Sequence, residues 1–340
     1  MLGAMTRTEA PIRIVLSEWC LSGGLAGGDA PIVREGRMML EALAADAAKE
    51  SAIDVAVLVE EGRPIVLPSR ARSVPVRVGD HDAALVAAAR TADWTVVVAP
   101  ESDGILARLV RAVRAAGGRV LAPNDRVIET ASDKQATSAA LAAHGIPVPA
   151  GRALAAGESI PAGFRMPAVR KSRSGCGGEG LEILSSRDGP PAPHATRLES
   201  LVGGTPVGVS CICGPRSIHA LPPMRQVFTA GSAPRYLGSD LVDDDRLAAR
   251  ATALGIAAAA AVGADAGWLG VDMILGDRAD GRDDRVLEVN PRVTTSFVGL
   301  ARLFPRGLVA AMIDAAAGRD RARPSIATPR PGCSFRLPDA

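Results

Sequence analysis

An alternation near the start of the chain limits the fold most: short apolar runs separated by segments of helical spacing. Ile12 to Trp19 reads IRIVLSEW and predicts a strand. A glycine-rich turn, Ser22 to Gly28, follows. From about Arg34, GRMMLEALAADAAKE then places apolar residues on one helical face. Asp54 to Val59 predicts a second strand, Ala83 to Ala92 a helix, and Trp94 to Ala99 a third strand. Ile105 to Ala116 predicts a helix ended by Gly117 and Gly118. Val120 and Leu121 open a short strand that stops at Pro123. Strands alternating with helices ask for a parallel sheet with right-handed crossovers. The expectation is an α/β chain that opens with a doubly wound lobe over residues 11–123.

The core of such a lobe must come from small and branched residues. Aromatics are 3% of the chain and alanine is abundant. Ala, Val, Leu and Ile suit helices packed on parallel strands. A length of 340 residues exceeds one small core and suits two or three lobes. Lys plus Arg number 39 and Asp plus Glu 37. That balance gives no electrostatic reason to expect nucleic acid or an anionic membrane. Stacking platforms for bases are missing too. No apolar stretch is long enough for a bilayer, and MLGAMTRTEAP lacks the apolar run of a signal peptide. A cytoplasmic location is expected.

The five cysteines, Cys20, Cys176, Cys211, Cys213 and Cys333, are odd in number and scattered, unlike a disulfide framework. Cys211 and Cys213 form a CxC without a second pair, which argues against zinc. Strand alternation simply points both to one face. His81, His144, His194 and His219 sit in no recognisable nucleophile elbow.

The pattern changes after Asn124. A helix from about Ser132 to His144 ends at Gly145, with Pro147 and Pro149 beyond it. Short strands follow at Ala168 to Lys171, Leu181 to Leu184 and Pro206 to Cys213. A long alanine-rich helix spans Asp244 to Val262. Strands at Leu269 to Leu275 and Arg285 to Val289 precede a helix near Leu308 to Ala317. This reads as two α+β lobes, 124–198 and 199–320. The Pro- and Arg-rich tail, 321–340, reads as a loose strap.

Two segments carry chemistry. Pro167 to Leu184 reads PAVRKSRSGCGGEGLEIL, with four glycines crowded beside Lys171 and Arg173. Glycine lets backbone N–H groups approach phosphate oxygens. The letters fit GxGxxG, but a dinucleotide site needs a helix at the loop, and LEIL predicts a strand. The segment is therefore a strand–loop–strand flap, either a phosphate cover or a plain glycine-rich hairpin.

Gly270 to Arg292 reads GVDMILGDRADGRDDRVLEVNPR. If this hairpin folds symmetrically about residue 280, Asp272 lies opposite Glu288 and Asn290 shares their face. Opposed acids repel unless a cation lies between them. Three oxygen donors on one face suit a hard cation such as magnesium. Arg292 adds a planar cation fitted to a phosphate. The alternative is a solvated strand face.

In this order these segments resemble the ATP-grasp superfamily of carboxylate–amine ligases. The shared parts are SDK at Ser132 to Lys134, Lys171 with its glycine flap, the hinge LESLVGG at Leu198 to Gly204, and the final D…EVNPR. The resemblance implies an ATP-grasp fold that clasps ATP with Mg2+, or Mn2+ in its place. It implies that Lys134 and Lys171 contact ATP phosphates and that Gly175, Gly177 and Gly178 cover them. Glu199 would accept from the adenine amino group beside the Leu201 backbone. Asp272, Glu288 and Asn290 would hold the metal, and Arg292 would steady the transferring phosphoryl group. Pro206 departs from the family, which often has an acidic ribose ligand there. Arg170 stands where an apolar residue is usual.

A narrower resemblance is to the tyramine–glutamate ligases of methanofuran and methylofuran synthesis. It rests on EW-x-x-SGG around Glu18, on REGRMML at Arg34 to Leu40, and on VGVSCICG…PPMRQVF…YLG with Arg225, Gln226 and Tyr236. The family's usual NRQ reads Met224-Arg225-Gln226, so its Asn is lost. Arg225 is a candidate to grip a substrate carboxylate, against a surface salt bridge. The implied partners are a small carboxylic acid and an amine, and such enzymes often form homodimers. The rivals are a D-alanine–D-alanine or other amino-acid ligase, a non-catalytic ATP-binding regulator and an NAD-dependent oxidoreductase.

Overall fold

A computed structural model of the protein describes residues 10–25, 31–176, 178, 180–319 and 334–337. The opening alternation forms β1 (Ile12–Glu18), α1 (Pro31–Ala47), β2 (Ile53–Glu60), β3 (Ala71–Val76), α2 (His81–Ala89), β4 (Trp94–Val98) and α3 (Ile105–Ala115). The four strands lie in the order β3-β2-β1-β4, all parallel. Alternate residues serve opposite faces. Ile14 and Leu16 pack with Leu40 and Leu43 of α1, whereas Val15 packs with Leu85 of α2 and Leu109 of α3. Both faces are thus covered by helices, as a parallel sheet requires. Strand order reverses between β1 and β4, so their carboxyl ends open a crevice. Sequence pattern alone missed β3: ARSVPV is largely exposed, carries a proline and lies at the sheet edge. The strand expected at Val120 is a single bridge to Thr95.

The second lobe begins with α4 (Asp125–Ala131) and α5 (Lys134–Ala143). Asn124 caps α4 by accepting from the Val127 N–H, and Asp133 caps α5 by accepting from those of Gln135 and Ala136. Asp133 therefore ends the helix that its neighbours' spacing had extended back to Ser132. Next come β5 (Gly151–Leu154), β6 (Ala168–Ser172), β7 (Glu182–Leu184) and β8 (Thr196–Ser200), ordered β5-β8-β6-β7 and antiparallel. β7 pairs back onto β6, so the glycine loop joins two strands as expected. Arg170 is buried on β6 because Glu182 and the Pro190 carbonyl take its guanidinium, both at 2.6 Å.

The third lobe holds β9 (Thr205–Cys213), β10 (Ile218–Ala220), β11 (Met224–Phe228), β12 (Tyr236–Leu241), α6 (Asp245–Val262), β13 (Gly267–Leu275), β14 (Arg285–Asn290), α7 (Ser296–Leu300), α8 (Leu308–Ala316) and β15 (Ser334–Arg336). The sheet runs β14-β13-β9-β11-β12-β15, with β10 on β9. Cys211 and Cys213 both face the α6 side, while Ile212 between them joins the opposite core. At Ser334–Arg336 the tail expected to be a loose strap forms β15. It pairs with β12, and Phe335 is buried. Gly238 makes room, since a Cβ there would lie 2.2 Å from the Phe335 carbonyl oxygen. No helix among the described residues is long and apolar enough to cross a membrane.

Candidate functional site

A cleft of about 170 Å³ lies between the second and third lobes and reaches the first. Its floor is the β13–β14 hairpin. The register places Asp272 opposite Glu288 and Gly270 opposite Asn290. The Asn290 amide donates to Asp272 Oδ2 at 2.9 Å, and Gln226 of β11 donates to Oδ1 at 2.8 Å. Burial and then the Glu288 charge push the Asp272 carboxyl above the usual carboxylate range. Burial also works against the Glu288 charge, but Lys134 and Lys171 hold that carboxyl below the usual range.

Cations surround this floor. Lys134 opens α5 and sets Nζ 3.4 Å from Glu288 Oε2. It also donates to the Gly175 carbonyl at 2.7 Å, which ties it to the flap. Lys171 of β6 has its Nζ 2.7 Å from Glu199 Oε1 and 3.2 Å from the Leu287 carbonyl. Arg292 lines the cleft just past Asn290. Gly178 lines it too and has φ 75°, a left-handed value that favours glycine. Gly177 lies outside the described residues. Positive groups and the Gly178 backbone thus line the same cleft as two opposed acids.

A family model described as an ATP-grasp domain matches residues 131–296, and one described as a pre-ATP-grasp domain matches residues 58–128. The chain carries an ATP-grasp domain. Comparison with curated proteins found no match. Solved structures agree on the fold. An ATP-grasp superfamily protein from Archaeoglobus fulgidus is 20% identical, with TM-score 0.68 over 90% of this chain and 89% of that one. An L-amino acid ligase from Bacillus licheniformis is 13% identical, with TM-score 0.67 over 94% and 78%. The D-alanine–D-alanine ligase of Bacillus anthracis is 16% identical, with TM-score 0.61 over 91% and 98%.

Within the ATP-grasp fold the cleft gathers Lys134, Lys171, Gly178, Asp272, Glu288, Asn290 and Arg292. Three expected residues stand differently. Arg225 lies on the strand face opposite to Gln226, which points at Asp272. Its guanidinium is 3.3 Å from Asp243 on an exposed surface, so it does not reach the cleft. Glu199 is buried, with its carboxylate taken by Lys171 at 2.7 Å and Arg197 at 3.0 Å. The Leu201 N–H donates to the Pro167 carbonyl at 3.1 Å, so that backbone donor is already occupied. Pro206 pairs with Ile274 at the start of β9.

Other residues in or beside the cleft were given no role from sequence. Glu18 ends β1 and is buried, with its carboxyl packed so closely on Gly36 that a Cβ there would lie 2.6 Å away. Burial pushes this carboxyl up to about 7, opposed by the Leu21 N–H and by Arg292. Glu35 of α1 lines the cleft, and burial raises its carboxyl as well, against the pull of Arg292. Glu101 follows β4. The carboxyl ends of β1 and β4 flank the reversal of strand order, a signal that could have marked Glu18 and Glu101. Phe228, Pro234 and Tyr236 form an apolar wall of the same cleft. The rings of Phe228 and Tyr236 meet edge-on at 5.7 Å. Among the described residues no group of three or more His, Cys, Asp or Glu is arranged to hold a metal. The hairpin floor offers two carboxylates and an amide.

Proposed function

We propose that the chain is an ATP-dependent ligase that activates a carboxylate as an acyl phosphate and passes the acyl group to an amine. The observation that carries this reading is the opposition of Asp272 and Glu288 within a ring of cations on an ATP-grasp floor. Two opposed acids fit a divalent cation, because without one they repel. Asp272, Glu288 and Asn290 would hold magnesium, which when bound would neutralise charge on the ATP phosphates.

The protein's own groups supply the rest. Lys134 and Lys171 give fixed positive charge for the phosphates. Arg292 offers N–H donors to the phosphoryl group as it moves to the substrate carboxylate. The amine then attacks the acyl carbonyl and phosphate leaves. Gly178 and Leu181 of the glycine flap line this end of the cleft and would keep water from the acyl phosphate.

The finer reading is that the acid is the γ-carboxyl of glutamate and the amine is tyramine or a close relative. An apolar wall of Phe228, Pro234 and Tyr236 with Glu35 in the same cleft supports an amine on an aromatic body. The test is ADP release over a panel of acids and amines, with product mass measured. Release must depend on both partners. Glutamate with tyramine must give their combined mass less water. Product from D-alanine instead would move the reading to an amino-acid ligase. Folded Glu288→Ala protein with full turnover would remove the site assignment.

A further inference from the structure

Arg292 belongs to the ATP-grasp lobe, but its closest acid does not. Glu101 comes from the first lobe, 191 positions away in sequence. Oε2 accepts from Nη2 at 3.2 Å, and Oε1 lies 2.9 Å from Nε, an ion contact without the alignment of a hydrogen bond. The Val293 carbonyl accepts from Nη1 at 3.2 Å. Both partners are buried, with 4% of the Glu101 side chain and 11% of the Arg292 side chain accessible. The Glu101 carboxylate on Nη2 and the Val293 carbonyl on Nη1 together fix the plane of the guanidinium. An arginine carries five N–H donors. Donors on both terminal nitrogens therefore remain for a ligand in the cleft that Arg292 lines.

The backbone that presents Glu101 is also unusual. After β4 the chain makes a tight turn in which Asp103 has φ 54° and Gly104 φ 66°. The Gly104 N–H closes onto the Glu101 carbonyl at 3.2 Å, and the Leu106 N–H onto that of Pro100 at 3.1 Å. Left-handed backbone at a non-glycine residue is kept where the surroundings demand it. Here it sets a carboxylate at the crevice where β1 and β4 diverge. Glu18 and Glu35 also act on Arg292, but through charge at longer range. Glu101 alone among these three touches it.

The geometry points to Glu101 as a positioning residue. It holds the Arg292 plane so that the remaining N–H groups meet the terminal phosphoryl group of ATP, and so makes the first lobe part of the phosphoryl-transfer site. This inference rests on the ATP-dependent reading above. It predicts a loss confined to ligands that carry the third phosphate.

The test is calorimetric binding, with magnesium, of ADP and of the β,γ-imido analogue of ATP. Wild type is compared with Glu101→Gln, Glu101→Asp and Arg292→Lys. Gln keeps the size of Glu101 but offers one acceptor and no charge. Analogue affinity is expected to fall about 10-fold in Glu101→Gln, with ADP affinity within about twofold of wild type. The Glu101→Gln/Arg292→Lys double variant should lose little more than Arg292→Lys, because the two residues act as one unit. Unchanged or tighter analogue binding in Glu101→Gln overturns the inference. So does an equal loss for ADP and analogue, or a collapse of melting temperature in both Gln and Asp variants, since these mark a purely structural pair. Wild-type protein that binds neither nucleotide overturns the ATP-dependent reading itself, and this inference with it.

Discussion

Asp272 and Glu288 face one another across β13 and β14, the one paired position of that hairpin where two acids meet. Such an arrangement costs stability of its own, on the order of 0.5 kcal/mol. Asp272→Asn removes one charge and keeps an oxygen to accept from Gln226 or Asn290. In the presence of a chelator its melting temperature should rise by about 1–2 °C. Its ATP-dependent turnover should fall about 100-fold or more. Thermal melts in EDTA and ADP-release rates check the two halves separately. A variant that melts lower, or turns over normally, contradicts the role given to this pair.

The acid limb of stability should report His81. Its Nε2 is 2.8 Å from Ser17 Oγ in the first-lobe core, and its Nδ1 is 3.1 Å from Asp82 Oδ1. Burial, then the charge of Arg108, holds the ring down to about 4. The folded ring stays neutral where the unfolded one protonates. Stability is therefore lost as pH falls from about 6.5 towards 4, by roughly 3 kcal/mol from this group. Glu18 acts in the opposite sense: its raised carboxyl contributes stability at low pH that is lost as pH rises through about 7. Urea unfolding at several pH values should show a steeper acid limb for wild type than for His81→Gln. Parallel limbs would remove His81 as the cause.

Neighbouring residues on β11 should behave oppositely. Arg225 pairs with an exposed Asp243, so Arg225→Ala should leave kcat and KM within about twofold of wild type. Gln226 orients Asp272 from the cleft side, so Gln226→Ala should cost about 10-fold or more in kcat or in metal affinity. Steady-state kinetics on both proteins is decisive, because the reverse order of effects would mean that β11 presents its other face.

These contrasts show what the sequence could convey. The Asp272–Glu288 register was legible because strand alternation is a local rule and because a bulge between this pair and the turn, where Met273 faces Val286, adds the one residue that centres the pair on 280. The flap was legible because a strand follows the glycines. Arg225 was misplaced because periodicity puts alternate residues on two faces without saying which face meets the cleft. Glu101 was legible only as a residue just past a strand end beside the reversal of strand order, not as the partner of Arg292. Its partner is 191 residues away, and only the packing of two lobes joins them. β3 and β15 were missed for a related reason: each is short, edge-placed and mostly exposed, so apolar pattern says little.

The tail offers a direct check on packing. Phe335 is 4% exposed and stacks edge-on with Tyr236 at 6.5 Å, while Gly299 leaves space for its ring. Phe335→Ala should destabilise the fold by about 3–4 kcal/mol through lost burial and an unfilled cavity. Because Tyr236 lines the cleft, KM for the amine should rise as well. Denaturant unfolding reads the first effect and kinetics the second. A variant as stable as wild type would return the tail to the loose strap that its composition suggests.

Glu199 separates a hinge that reads adenine from one that holds the lobe together. Its carboxylate is 3% exposed and lies between Lys171 at 2.7 Å and Arg197 at 3.0 Å, both themselves buried. Arg197 also donates to Ser138 Oγ at 2.8 Å and to the Pro149 carbonyl at 3.2 Å, so it cannot swing out to solvent without breaking the α5 contact. Glu199→Ala would leave two cations buried with no acid between them. Removing one partner of a buried pair costs about 3–5 kcal/mol. The expected result is a large loss of stability together with a fall in ATP affinity, since Lys171 loses the group that aims it. Glu199→Gln should recover part of the stability by keeping an acceptor. If Glu199 served only the adenine amino group, the Ala variant would unfold at the wild-type urea concentration and show a raised KM for ATP alone. Unfolding curves and ATP titrations on the same two proteins distinguish these outcomes.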